Sequence, residues 1–460
     1  MELVGKRFPF HCDYKVQVDD AGVIQSLHAE MYSDHGVGGN EQFNQFNIFD
    51  LFLANYDSDT FDVNYYRTRT DTPANTWVRA PGSSEGLALI ESIMDHIAYE
   101  LKMDPIDIRI NNVGKNKKVL DYLGDLKEWA NIDQRKEAIQ AYNKENRWKK
   151  KGLSVVPMAY EFAPFGPVNV MVSIYHVDGS VTISHGGIEM GQGVNTKAAQ
   201  VCAYKFNISL DKIHIYPSNS MISPNNASSG GSQTSEGICY GIDKACDELL
   251  ERLKPFNKND GVQTWEQLIQ SAYGNFTYLT ASAQYAPNAP FVKPYIIYGA
   301  CAAEVEVDIL TGQHLVKRVD LIEDVGTTLS PEVDVGQVEG AFIMGLGYYT
   351  LENIIFDKDG RQLTNNTWFY KPPGVKDIPI DFRVKFPKNN PNPDGILQSK
   401  AVGEPPLCMS VCLPLAIRNA VASARNDTDP SKPSYFSFDG PTSVEYTFMN
   451  SMNDSKQYTL

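Results

Sequence analysis

One carboxylate in the sequence stands in a setting that suits proton transfer. Glu404 lies between a glycine and two prolines, just before a predicted helix over 407–424. Prolines restrict the backbone and would hold this carboxylate rigidly. A rigid carboxylate that faces a pocket is suited to act as a general base. An acidic residue there is equally suited to stabilise the positive end of the helix dipole, so the residues alone leave both interpretations open.

Three further segments place glycines and hydrogen-bonding side chains before predicted helices. Their key residues are Gly191, Gln192 and Gly193 in the first, Ser232 and Thr234 in the second, and Gln337 in the third. Glycines allow a ligand to approach the backbone closely, and free N–H groups at a helix start suit a phosphate or another anion. Taken singly, each segment is equally explained by a tight turn, a helix cap or close helix packing. Together they predict a polar, phosphate-bearing cofactor that is held from several sides.

The elements that must position these segments mix strands and helices without regular βαβ alternation. A predicted hairpin turns at 19–22, an apolar stripe predicts a helix over 87–101, and alternating residues predict strands at 168–185 and 301–322. This pattern favours an α+β fold. Pro414 falls inside the predicted last helix, where it should bend the helix and shift Glu404.

Composition excludes several classes of function. The chain of 460 residues has 41 Lys plus Arg and 56 Asp plus Glu, and its net charge of −15 argues against a nucleic-acid partner. No apolar run approaches the ~20 residues of a membrane span. The seven cysteines form no CxxC pair, which argues against a thiolate metal site and favours a reducing, cytoplasmic location.

Several of these segments resemble signature motifs of the molybdopterin-binding region of the xanthine dehydrogenase/aldehyde oxidase family. The motifs are, in chain order, SHGGIEMGQGVNTKAAQV, DVGQVEGAFIMGLG and SKAVGEPPL. Within the family, WVRAPGSSEG and KPPGVKDIPIDFRV make the chain most similar to insect-type aldehyde oxidases. The resemblance implies an α+β, two-domain region with mixed sheets and packed helices. Residues 1–115 would end the first molybdopterin-binding domain, 116–151 would be a linker region, and 152–460 would form the second domain.

The resemblance also implies a role for each matching residue. Glu404 would be the base that deprotonates a molybdenum-bound hydroxyl as an aldehyde becomes a carboxylic acid with oxygen from water. The residues that would bind the molybdopterin are Gly191, Gln192, Gly193, Ser232, Thr234, Gln337 and Lys400. Arg79 and Gly231 would line the molybdenum without coordinating it. The residues that would contact substrate are Pro81 and either Phe162 or Phe165.

Two departures from the family pattern favour aldehydes over purines. Xanthine-oxidising members carry an aromatic residue where this chain has Pro81, and the stretch 45–50 offers no arginine to hold a purine. A xanthine-type hydroxylase and a truncated, non-catalytic remnant remain alternatives. By family resemblance we also expect a homodimer, and we expect 2Fe-2S clusters and FAD on upstream domains that this sequence does not contain. The chain therefore resembles a fragment of a longer molybdo-flavoenzyme.

Overall fold

The computed structural model describes residues 4–39, 44–114, 116–258, 261–438 and 440–453. The strands in these ranges are β1 (Phe10–Val18), β2 (Ile24–Asp34), β3 (Phe61–Thr68), β4 (Lys149–Phe162), β5 (Val168–Ile174), β6 (Val181–His185), β7 (Ile213–Ile215), β8 (Thr280–Tyr285), β9 (Tyr295–Asp308), β10 (His314–Glu323) and β11 (Asp381–Lys385). The helices are α1 (Asn44–Leu53), α2 (Ser83–Leu101), α3 (Pro105–Asn112), α4 (Lys117–Trp129), α5 (Ile132–Glu145), α6 (Val194–Phe206), α7 (Thr234–Leu253), α8 (Trp265–Gly274), α9 (Pro331–Thr350), α10 (Pro405–Met409), α11 (Cys412–Thr428) and α12 (Val444–Asn450).

The described strands form three sheets. Their strand orders are β1-β2-β3, β11-β10-β9-β4 and β7-β6-β5-β8. One pair in each sheet is parallel, namely β2 with β3, β10 with β11 and β6 with β7, and the other neighbours are antiparallel. Mixed sheets with helices packed around them confirm the predicted α+β class.

Local signals in the sequence account for several elements. The predicted hairpin is β1 and β2, and the apolar stripe is on α2. Asp104 caps α3 through the backbone N–H of Ile106, and Thr264 with Gln267 forms a capping box on α8. These motifs act over three or four residues, so the sequence alone is enough to locate them.

Apolar side chains gather in two cores. The first joins α1, α2, β4, β9, β10, α9, α10 and α11, so residues from both ends of the chain share it. The second lies between the sheet of β5–β8 and the helices α6 and α7. Helices α4 and α5 pack on the first core's sheet, where Arg135 of α5 bonds Glu304 at 2.9 Å and Asp320 at 2.7 Å. The domain boundaries at 115 and 151 stay predictions.

The prediction of a single helix after Glu404 is wrong. The helix stops at Met409 and a second one begins at Cys412, so Pro414 lies in the first turn of α11. A proline is tolerated there because first-turn N–H groups have no partner within the helix. By length and composition Pro405–Thr428 could cross a membrane, but 83% of its most apolar window is buried inside the protein. This stretch is therefore explained as core.

Candidate functional site

Glu404 is held at both of its carboxylate oxygens. It is 6% exposed and directly precedes α10. Its Oε1 accepts a hydrogen bond from the backbone N–H of Ala80 at 2.9 Å, and its Oε2 accepts one from the hydroxyl of Tyr160 at 2.6 Å. Burial and the nearby carboxylate raise the pKa of Tyr160 well above its ordinary value, so this hydroxyl remains a donor. Each carboxylate oxygen keeps a lone pair that could accept a proton.

Arg79 joins its own segment, before α2, to the segment of Gly403 and to helix α9. Its Nε donates to the carbonyl of Gly403 at 2.6 Å, and its Nη2 donates to the amide oxygen of Gln337 at 2.7 Å. Burial lowers the pKa of Arg79, while the carboxylates of Glu404 and Glu323 favour its charged form. An arginine keeps its charge at any physiological pH. A guanidinium therefore lies close to both Gln337 and Glu404, the predicted base.

The predicted position of Gln337 at a helix start is wrong. Helix α9 begins at Pro331, so Gln337 lies in its second turn and contributes through its side chain. The first turn of α9 instead carries Asp334, which binds Lys197 of α6 at 2.6 Å. The signal for the earlier start was Pro331 itself, because proline is favoured at the first helical position.

A serine loop, residues 228–235, approaches the base from the side of α7. A Cβ atom built on Gly403 would lie 2.9 Å from the hydroxyl oxygen of Ser232, so the two segments touch. Ser232 has a φ of 55°, in the left-handed region. Among the described residues, its hydroxyl and the Nε2 of Gln233 are buried without a hydrogen-bond partner. Buried polar groups are rarely left unbonded, so this loop has free capacity for a polar ligand.

The two candidate substrate aromatics lie in different environments. Phe165 is 53% exposed and packs against Gly231, where an added Cβ would lie 2.7 Å from its ring. Phe162 is buried and stacks on Tyr295 with ring centroids 4.5 Å apart. Of the two, only Phe165 is accessible beside the serine loop.

Pro81 and Lys400 both precede Glu404 in sequence, by 323 and 4 residues, and they have different partners. The carbonyl of Pro81 accepts a hydrogen bond from the side chain of Asn47 at 2.8 Å. Lys400 donates to Asp324 and to the carbonyl of Ile296, both at 2.6 Å. Burial lowers the pKa of Lys400, and Asp324 opposes that shift. The ammonium group of Lys400 is thus engaged by the protein itself.

The loop that carries Gln192, residues 186–193, is largely bonded to itself. The amide of Gln192 accepts the N–H of Met190 and donates to the carbonyl of Ile188, each at 2.7 Å. Glu189 accepts backbone N–H bonds from Gly191, Gly193 and Asn195. Burial raises the pKa of Glu189, but these three bonds outweigh it and the pKa is lowered. The loop is ordered by its own polar groups.

The Gln192 loop contacts α9 but not the base. An added Cβ on Gly193 would lie 2.7 Å from Val333, and the Lys197–Asp334 ion pair continues this contact. A cavity of about 310 Å³ beside the loop is lined by Ile188, Glu189, Asn195 and residues 215–218. The structure therefore brings Arg79, Gln337, Glu404 and Ser232 together and leaves Gln192 at the margin.

Sequence reasoning missed three polar side chains around the base. Tyr160 lies in the apolar strand β4 and carries no motif that would mark it. Tyr295 donates to Glu236 of α7 at 2.5 Å. Glu323 is fully buried, both its oxygens lack a hydrogen-bond partner among the described residues, and burial raises its pKa well above the ordinary value. Nothing local in the sequence distinguishes these residues from ordinary core positions.

The donor set fits an anionic, polar cofactor better than a bare metal ion. Over the described ranges, no group of three or more His, Cys, Asp or Glu side chains could hold a metal. The Ser232 hydroxyl and the Gln233 amide nitrogen, both without a partner among the described residues, lie at the start of α7, where free N–H groups also favour a phosphate. A metal bound here would need ligands that the cofactor itself supplies.

Comparisons with known proteins match the chain to molybdopterin-binding domains. Residues 125–379 match a family model described as "Molybdopterin cofactor-binding domain", and residues 1–113 match a second model with the same description. The chain is 33% identical to a xanthine dehydrogenase/oxidase of Gallus gallus, over 97% of this chain and 34% of that protein. It is 34% identical to an indole-3-acetaldehyde oxidase of Arabidopsis thaliana, over 92% and 34%.

Solved structures show the same fold. The CO dehydrogenase of Oligotropha carboxidovorans superposes with a TM-score of 0.80 at 18% identity, over 96% of this chain and 61% of that chain. The aldehyde oxidoreductase of Desulfovibrio gigas gives a TM-score of 0.80 at 22% identity, over 98% and 50%. The chain spans about a third of the length of the curated relatives quoted above. It belongs to the xanthine dehydrogenase/aldehyde oxidase family, of which it represents the molybdopterin-binding region.

Proposed function

We propose that this chain provides the base and cofactor contacts of a molybdenum hydroxylase that oxidises aldehydes to carboxylic acids. The observation that carries the proposal is the carboxylate of Glu404, fixed at both oxygens by Ala80 and Tyr160. Arg79 connects it to Gln337, and Gly403 connects it to Ser232. Glu404 is thus linked to two of the residues that the family resemblance assigns to the cofactor, Gln337 and Ser232.

The residues of this chain have distinct parts in the reaction. When bound, the molybdenum cofactor supplies the two-electron redox chemistry and the water-derived oxygen of the hydroxylation. Ser232, Gln233 and Gln337 would hold the cofactor through their hydroxyl and amide groups. Glu404 would accept a proton at a carboxylate oxygen while Ala80 and Tyr160 keep it oriented. The overall change is aldehyde plus water to carboxylic acid, two protons and two electrons.

An aldehyde is favoured over a purine by the groups near Pro81. A purine has polar ring atoms that need charged or hydrogen-bonding partners. The side-chain amide of Asn47, in the stretch 45–50, is instead directed at the carbonyl of Pro81. The exposed Phe165 beside Gly231 offers an apolar face to a small neutral substrate. We propose a xanthine-type substrate as the alternative, because relatives of both kinds are similar to the chain to nearly the same degree.

We further propose that the working enzyme is a cytoplasmic homodimer. All seven cysteines are free thiols, as expected in a reducing compartment. Dimerisation follows from the family resemblance and is tested by the mass of the holoenzyme in solution. The iron–sulfur and flavin groups expected by resemblance would lie outside these residues.

The experiment that tests the function is Glu404→Gln in the molybdenum-loaded holoenzyme. This variant keeps the size of the side chain and an acceptor oxygen for the Ala80 N–H, while its NH2 group can donate to the Tyr160 hydroxyl oxygen, but it removes the base. We expect aldehyde turnover to be lost while bound molybdenum remains. Glu251→Gln, a 74% exposed carboxylate at the far end of α7, is the matched control. Retained turnover in Glu404→Gln would contradict the base assignment, and turnover of xanthine but not aldehydes would contradict the substrate class.

A further inference from the structure

Glu236 is a buried acid that the proposed reaction does not use. It follows Thr234 by two residues in the first turn of α7 and is 6% exposed. Burial raises its pKa to about 8, although the Tyr295 hydroxyl and Lys197 act in the opposite direction. Glu236 is therefore mainly a neutral acid at pH 7. Its Oε2 is the acceptor of a hydrogen bond from the Tyr295 hydroxyl at 2.5 Å.

The hydroxyl of Tyr295 both donates and accepts a hydrogen bond. It donates to Glu236, and it accepts the backbone N–H of Ala401 at 2.9 Å. Its ring is held between the stacked ring of Phe162, with centroids 4.5 Å apart, and the ammonium of Lys400 at 5.9 Å. With ring and hydroxyl both fixed, Tyr295 has one orientation available.

Ala401 lies in the base segment, residues 399–404, three residues before Glu404. Besides the bonds of Gly403 and Glu404 described above, the segment is attached to the rest of the protein through Lys400 and Ala401. Lys400 binds Asp324 at the end of β10, and the Ala401 N–H reaches α7 through Tyr295 and Glu236. The start of α7 is also the end of the serine loop, where Ser232 and Gln233 have unused donors. A chain of two hydrogen bonds thus joins the base segment, at Ala401, to the first turn of α7, at Glu236, directly after the serine loop.

We propose that Glu236 and Tyr295 are positioning residues that fix the base Glu404 relative to the serine loop. This inference rests on the proposed function of Glu404 and adds to it. Neither residue touches substrate. They act on the base through the backbone of Ala401, so a displacement of the α7 start is passed on to Glu404. Because a misplacement of about 1 Å can cost about a hundredfold in rate, this linkage matters to turnover.

The surroundings of Glu236 leave Tyr295 as its hydrogen-bond partner. The charged or titratable groups that act on it or respond to it are Lys197 of α6, Tyr285 of β8, Tyr295 of β9, and Cys239 and Tyr240 of α7. Lys197 is already paired with Asp334. The Tyr240 hydroxyl is directed at the carbonyl of Asp394 at 3.2 Å. Among these groups, Tyr295 is therefore the one that forms a hydrogen bond with Glu236.

A series of four variants tests the linkage. Tyr295→Phe removes its hydrogen bonds with Ala401 and with Glu236 but keeps the ring on Phe162. Glu236→Leu removes only the bond between Tyr295 and Glu236. Glu236→Gln keeps an acceptor oxygen for the Tyr295 hydroxyl and should therefore keep normal turnover. Tyr240→Phe deletes another partly buried hydroxyl, one turn along the same helix, and is the control. In the holoenzyme we expect kcat per bound molybdenum to fall about tenfold or more in Tyr295→Phe, less in Glu236→Leu, and not in Glu236→Gln, with KM for aldehyde nearly unchanged.

Hydrogen exchange gives a readout that does not depend on activity. The amide of Ala401 should exchange about tenfold faster or more in Tyr295→Phe, because its acceptor is gone, and at the native rate in Tyr240→Phe. If Tyr295→Phe and Glu236→Leu keep full kcat while Glu404→Gln is inactive, the positioning role is overturned and the base assignment stands. If Glu404→Gln is active, the base assignment fails, and unchanged exchange at Ala401 would then overturn the linkage as well.

Discussion

The base segment and the Gln192 loop are both glycine-containing turns before helices, yet they are held in different ways. Residues 399–404 are bonded to distant parts of the chain, through Arg79, Tyr160, Tyr295 and Asp324. In the Gln192 loop, the side chains of Gln192 and Glu189 bond the loop's own backbone, and the Ile188 N–H donates to the Ser229 hydroxyl of the serine loop at 2.8 Å. The comparison indicates that Glu404 is oriented by distant parts of the protein. The amide of Gln192 already makes two bonds within its loop, so it would offer a cofactor only its second N–H and the remaining lone pair of its oxygen.

The strongest way to break the base region is to remove Arg79, which joins it to α9. In Arg79→Ala the carbonyl of Gly403 and the amide of Gln337 both lose their donor. We expect aldehyde turnover to fall about a hundredfold or more and bound molybdenum to fall with it. Arg79→Lys keeps the charge but lacks the planar fork that reaches both acceptors, so it should recover only part of the loss. Normal molybdenum content in Arg79→Ala would contradict this role.

A smaller effect is expected when the base loses one of its two donors. Tyr160→Phe deletes the hydroxyl on Oε2 of Glu404 and leaves the Ala80 N–H in place. Since a single lost donor leaves the carboxylate less firmly oriented, we expect kcat to fall about tenfold with molybdenum still bound. The measurement is turnover per bound molybdenum. An unchanged kcat would show that Ala80 alone orients the base.

Two substitutions test the difference between the serine loop and the Gln192 loop, the two segments predicted to hold the cofactor. Ser232→Ala removes a buried hydroxyl that has no partner among the described residues. Because an unsatisfied buried polar group costs about 1–3 kcal/mol, this variant should leave the metal-free chain as stable or more stable, while molybdenum retention falls several-fold. Gln192→Ala should instead destabilise its own loop, because it deletes two internal hydrogen bonds. Thermal melts of the metal-free chains and metal analysis of the loaded ones separate the two outcomes.

The smallest effect concerns stability and pH. The pKa of Glu236 rises on folding from an ordinary value of 4.5 to about 8. Between these values the folded chain binds a proton at Glu236 that the unfolded chain has lost. The contribution of Glu236 to stability is therefore fully present below about pH 4.5 and declines as the pH rises toward about 8, by up to about 1.4 kcal/mol per pH unit. Glu236→Gln should flatten this slope in urea unfolding between about pH 5.5 and about pH 7.5. An identical slope in both proteins would show that Glu236 ionises normally.

Sequence reasoning recovered what depends on near neighbours and missed what depends on distant ones. The hairpin, α2, the caps of α3 and α8, and the rigid setting of Glu404 are all encoded within a few residues. Tyr160 is 244 residues from Glu404, and Arg79 is 324 residues from Gly403. A single sequence carries no record of such pairings. Pro414 was misread because its effect depends on where the helix begins, which tertiary packing decides.

The first core draws on both ends of the chain, and this has a consequence for biosynthesis. Strand β4, which carries Tyr160, packs against α11, which the ribosome makes more than 200 residues later. Contacts of such sequence separation form slowly, and until they form their apolar surfaces are exposed. The base and its partners therefore come together only after translation of this region is nearly finished. We therefore expect the cofactor to be inserted after this region has been synthesised.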